Sequence, residues 1–198
     1  MNDIMKKRIV RASLVALLVS MPACVTPALA AGTVLAGISN TATALNSAVS
    51  GGQGNSASGI SSSVSGGYKN TASGKYAAVT GGSSNTASAN YASVSGGQNN
   101  TAKGESSSIS GGAGNQATGM YASVSGGSAN KAAGTYASVG GGVLNQATGL
   151  NSSVSGGKQN TASGDNSVVS AGGTIRLNHT NLLLAVVNII RRRLIMLP

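Results

Sequence analysis

The chain has 198 residues, a formal net charge of +10, 30 Gly, 5 Tyr and neither Phe nor Trp. Much of its apolar fraction is Ala, which excludes an ordinary aromatic-rich globular core. The charge divides into +3 over the first 30 residues, +3 over the middle and +4 beyond Gly173. Lys69, Lys75, Lys103, Lys131 and Lys158 stand singly, so no clustered phosphate-tracking surface exists and nucleic acid is excluded as a partner.

Residues 1–30 read as an export signal. Lys6, Lys7, Arg8 and Arg11 precede the apolar run Ala12 to Val19, and Ala28-Leu29-Ala30 supplies the small-x-small cleavage pattern. Cleavage is expected between Ala30 and Ala31. The run is shorter than the ~20 apolar residues of a spanning helix. Cleavage also removes the single cysteine, Cys24, and leaves a mature chain without disulfides.

After a short lead-in (31–39), the segment 40–173 repeats itself at a fixed interval, that from Val49 to Val64, without insertion. The landmark is Val49, Val64, Val79, Val94, Ile109, Val124, Val139, Val154 and Val169, always fifteen positions apart. A glycine pair follows it, from Gly51-Gly52 to Gly156-Gly157. Six positions after each landmark comes Asn55, Asn70, Asn85, Asn100, Asn115, Asn130, Asn145 or Asn160, and two further on an Ala, from Ala57 to Ala162. Disorder has no reason to hold such offsets; stacked identical coils do. The pattern predicts an all-β parallel β-solenoid of about nine coils, with two short strands and two turns in each.

In Ala122-Ser123-Val124-Ser125, alternation places Ala122 and Val124 on one face and the serines on the other. Gly126-Gly127 turns the chain, and Asn130, Ala132 and Gly134 face inward from a second strand. The repeating Asn is expected either as an inward ladder, each amide bonding the equivalent amide one coil away, or as a turn residue in the left-handed region. So little apolar surface is buried per coil that the ordering entropy is hard to offset in an isolated chain. Ser93, Ser108, Ser123 and Ser138 form a smooth strip that a second subunit can approach, so an oligomer is expected.

These residues carry a resemblance. The unit Tyr121-Ala-Ser-Val-Ser-Gly-Gly through Asn130 to Ala132 and Gly134 resembles the YadA-like head repeats of trimeric autotransporter adhesins, over about Asn40 to Gly172. The resemblance implies a left-handed β-roll in which three chains interlock. It also implies a bacterial surface protein that binds host matrix or other cells. The commonest repeat of that family is one residue shorter than this one and has a second apolar residue where this chain has Gly. The coiled-coil stalk and the β-barrel anchor of such adhesins are not seen.

The tail, 174–198, changes composition abruptly, with Leu182 to Ile190, three arginines and Leu-Ile-Met-Leu-Pro. It reads as the product of a truncation or frame shift, with a basic-flanked interfacial helix as the other reading. Membrane contact is therefore expected only through a missing anchor or through this tail. The location expected is the bacterial cell surface, or the medium if the anchor is truly absent.

Chemistry is sparse. Glu105 and Asp165 lie four coils apart, roughly 19 Å at strand spacing, so they are no carboxylate pair. His179 is the one histidine, and it stands near no acid that would activate a serine. No enzyme, metal or cofactor is expected. Tyr76, Tyr91, Tyr121 and Tyr136 share the slot three before the landmark and are the candidate ligand contacts, against the plainer role of covering a corner. Thr71/Ser73, Thr86/Ser88 and Thr161/Ser163 suggest an ice- or surface-binding array as the alternative, interrupted by Lys103, Gln116, Lys131 and Gln146; a structural fibre segment is a third reading.

Overall fold

The computed structural model describes residues 32–170, 172–178 and 183–184. The expected signal peptide with its cleavage site at Ala30 and Ala31, Cys24, His179 and most of the tail lie outside them. The described residues form a parallel β-solenoid whose every strand is two residues long.

Alternate strands build two sheets. The valine sheet has 11 strands, from Thr33–Val34 through Ala48–Val49 and Ser63–Val64 to Leu183–Leu184. The alanine sheet has 10, from Thr41–Ala42 through Ser56–Ala57 to Arg176–Leu177. Pairing is parallel and in register, so Val49 meets Val64, Val64 meets Val79, and Ala57 meets Ala72. A slip of one residue would turn every valine outward. The constant interval between landmarks thus fixes the register as well as the fold.

The core is one side chain thick. The nine landmark residues and Ala57 through Ala162 are at most 1% exposed. Ala77, Ala92, Ala122 and Ala137, together with buried serines such as Ser62 and Ser107, fill the remaining inward slot. Because these residues are small, the two sheets approach closely and each strand needs only two residues.

The asparagines are buried, and they form a ladder different from the one expected. Asn70 donates both Nδ2 hydrogens to carbonyls, of Gly66 and Gly82, each at 2.9 Å. Its Oδ1 accepts the backbone N–H of Asn85 at 2.9 Å. The same three bonds recur at Asn100, to Gly96, Gly112 and Asn115. The amides therefore bond backbone rather than one another. Nor do they occupy the left-handed region; the residue before each does, as at Lys69 (φ 52°), Ser84 (φ 56°) and Gly114 (φ 67°).

Two further differences concern extent. A third column of single-residue bridges runs through the glycine corner, from Ile38–Gln53 and Gln53–Tyr68 to Lys158–Gly173. The stack also overruns the boundaries expected at 40 and 173. Val34 pairs with Val49 and Leu177 with Ala162, so the lead-in and the start of the tail are themselves coils. Backbone pairing demands the spacing and not the consensus residue. The asparagine ladder ends where Ile175 donates its N–H to Asn160 Oδ1 and offers no amide of its own.

Candidate functional site

The four sequence-selected tyrosines lie on one edge of the solenoid, where the alanine strand turns into the next valine strand. The turn is closed by an N–H from the fourth residue to the carbonyl of the first, as from Ala77 to Gly74 at 3.1 Å. Its third residue has positive φ in coil after coil: Asn46, Ser61, Tyr76, Tyr91, Ser106, Tyr121, Tyr136, Asn151 and Asn166, at 51–59°. Gly or Asn is the usual occupant of such a position. Tyrosine gains nothing there from its own backbone preference, and its β-carbon makes the conformation costly. A hydrogen bond from the Tyr76 N–H to the Ile60 carbonyl, 2.9 Å away, holds the turn to the preceding coil.

The turn drives these side chains outward. Tyr76, Tyr91, Tyr121 and Tyr136 are 45%, 55%, 47% and 56% exposed. They stack as two pairs: Tyr76 with Tyr91 at 5.0 Å between centroids, and Tyr121 with Tyr136 at 4.9 Å, with planes inclined by 19° and 5°. Stacking at coil spacing fixes ring orientation and lowers the entropy lost when a partner binds. Lys75 adds a cation over Tyr76, its Nζ 5.0 Å from the ring centroid.

Sequence reasoning missed the residues that widen this edge. Leu45, Ile60, Met120 and Leu150 occupy the slot just before the tyrosine slot and are 38–46% exposed. Each stands four before a landmark, and that shared offset was the available signal. A lesser apolar group lies on the glycine corner, at Ile38, Tyr68, Val143 and Leu144. There Lys69 Nζ lies 5.0 Å from the Tyr68 ring centroid.

The remaining surfaces differ in charge. Lys103, Lys131 and Arg176 belong to the outer side of the alanine sheet, Lys69 and Lys158 to the glycine corner, and Lys75, Glu105 and Asp165 to the tyrosine edge. The outer side of the valine sheet, with Ala48, Ser63, Ala78, Ser93, Ser108, Ser123, Ser138 and Ser153, carries no charged residue among the described coils. A shallow depression of about 280 Å³ lies at the C-terminal end of the alanine sheet, between Leu144, Gln159, Thr161 and Arg176.

Among the described residues there is no group of three potential metal ligands, and no helix long and apolar enough to cross a membrane. No family model matches the chain, and no curated protein matches it.

Proposed function

We propose that this chain is the head of an exported bacterial surface adhesin, a rod that makes repeated weak contacts with host matrix or with other cells. The observation that carries this reading is the paired, half-exposed tyrosines held by a turn that disfavours them. A side chain retained against its backbone preference, and pointed at solvent, is a contact residue before it is a structural one. Repetition adds to this, because several weak sites on one rigid scaffold multiply through effective concentration. The role is one of binding, with neither catalysis nor a cofactor.

The working unit in this reading is a self-assembled one, a homotrimer by the resemblance to autotransporter heads. Support comes from the uncharged, small-residue outer face of the valine sheet, which lets another copy approach without burying a charge. The purified chain is expected to bind immobilised collagen or fibronectin. Replacing Tyr76, Tyr91, Tyr121 and Tyr136 together by Ser, a residue the same turn already accepts at Ser61 and Ser106, is expected to reduce that binding at least about tenfold. Unchanged binding by this variant rejects the tyrosine edge as the contact surface.

One observation favours a second reading, a surface that binds ice or a crystal face. Thr71, Thr86 and Thr101 stand in register along the alanine sheet. Gln116, Lys131 and Gln146 interrupt the column before Thr161 resumes it. Thermal hysteresis in a solution of the purified chain would rank this reading first.

A further inference from the structure

We infer that the break in the tyrosine ladder at Ser106 is a receptor for a single flat cation, the guanidinium of an arginine on a partner polypeptide. This deepens the adhesive reading and rests on it for its biological setting. Its chemistry rests on the edge alone.

The tyrosine slot recurs at Tyr76, Tyr91, Ser106, Tyr121 and Tyr136. Within each pair the rings lie one coil apart, at 5.0 and 4.9 Å. Tyr91 and Tyr121 lie two coils apart, about 9.6 Å at strand spacing. That is twice the separation within a pair, so the gap admits one group of a ring's thickness, stacked on both tyrosines at once. Ser106 has the turn conformation of its neighbours, φ 55° against 58° and 57°, so a short side chain occupies the slot that a tyrosine fills on either side.

The adjacent residue selects the occupant. Glu105 is exposed in the same coil as the gap, and it is one of two acidic residues in the repeats. A phosphate or carboxylate would be repelled there. A neutral aromatic ring would stack but leave the carboxylate unused. An ammonium is compact and cannot lie flat against two rings. A guanidinium is planar, stacks on aromatic faces and presents edge N–H groups that match a carboxylate. The edge already draws a cation to one tyrosine face, since Lys75 lies over Tyr76. Lys103, the nearest lysine in sequence, is exposed on the alanine-sheet side of the coil. Charges farther off are screened over a Debye length of about 8 Å.

The test is an NMR titration of the purified full chain with two capped pentapeptides, Gly-Ser-Arg-Ser-Gly and Gly-Ser-Lys-Ser-Gly. The arginine peptide is expected to bind about fivefold more tightly, the order of one added cation–π contact on an exposed ring. Its shifts should centre on Ser106 and on the rings of Tyr91 and Tyr121. Ser106→Tyr fills the gap with a fifth ring, in a backbone conformation that tyrosine adopts on either side, and is expected to remove the arginine preference. Glu105→Gln should weaken arginine binding about two- to threefold, the scale of an exposed ion pair. Tyr68→Ser, on the opposite corner, should change nothing. Equal binding of the two peptides, or an undiminished arginine preference in Ser106→Tyr, overturns the inference. Matrix binding is measured on the same samples. Matrix binding without arginine selectivity overturns the slot alone, and arginine selectivity without matrix binding overturns the adhesive reading alone.

Discussion

Single positions in this rod carry unequal weight, and hydrogen-bond accounting ranks them. Asn100 satisfies two glycine carbonyls and the N–H of Asn115 at full burial. Asn100→Ala would leave the Asn115 N–H and the Gly96 carbonyl without a partner, while the Gly112 carbonyl keeps the N–H of Gln98. At about 1–3 kcal/mol for each group left unpaired away from water, a loss of at least about 2 kcal/mol is expected in denaturant unfolding. Asn100→Asp should be worse, because it replaces two donors with a buried charge facing carbonyls. The two glycines of each pair also separate. A β-carbon on Gly111 would meet nothing within 4 Å, whereas one on Gly112 would collide with the Gly127 carbonyl oxygen, at φ +86°. Gly111→Ala should leave the melting temperature almost unchanged. Gly112→Ala should cost at least about 2 kcal/mol from backbone conformation alone, before the clash is counted.

A coil is the unit of folding here, since each strand pairs with its equivalents one coil before and after. Stability is then close to a sum over neighbouring coils. Removing one whole coil, Tyr136 to Leu150, rejoins Thr135 to Asn151 in register. The shortened chain is expected to keep its far-UV circular dichroism per residue and to melt within about 5 °C of the parent. Removing Tyr136 to Gly149 instead moves every later residue by one position and turns Val154 and Val169 outward. That variant should show two transitions or aggregate. Equal behaviour of the two deletions would contradict a stack held by in-register coils.

The described coils form a rod with four dissimilar sides: a tyrosine edge that mixes aromatic and aliphatic residues with Lys75, Glu105 and Asp165, a mixed glycine corner, a polar and cationic alanine-sheet face, and a valine-sheet face without charge among the described residues. Assembly through the last of these gives a directional prediction. Ser108→Glu with Ser123→Glu places two like charges on that face, one coil apart, and desolvating them on association is unfavourable. Sedimentation velocity should show this variant dissociated. Thr86→Glu with Thr101→Glu, on the alanine-sheet face, should sediment as the parent does. A parent chain that is already a stable monomer would refute the assembly itself.

The amino-acid sequence by itself determined the period, the parallel register and the inward rows of Val, Ala and Asn. A constant offset kept without insertion permits one stacking, and only small or amide side chains fit a core this thin. The three-dimensional arrangement decided the rest. Tyr76 and Ser106 give no local sign of a left-handed turn, because neither has a strong preference for one. The turn is imposed by hydrogen bonds to the preceding coil, a full repeat away along the chain. For the same reason, the division of labour within each glycine pair, the backbone partners of the asparagines and the inclusion of Val34 and Leu177 in the stack became visible only with adjacent coils in place. The identity of a residue states what it can do; contact with the next coil decides which of those things it does.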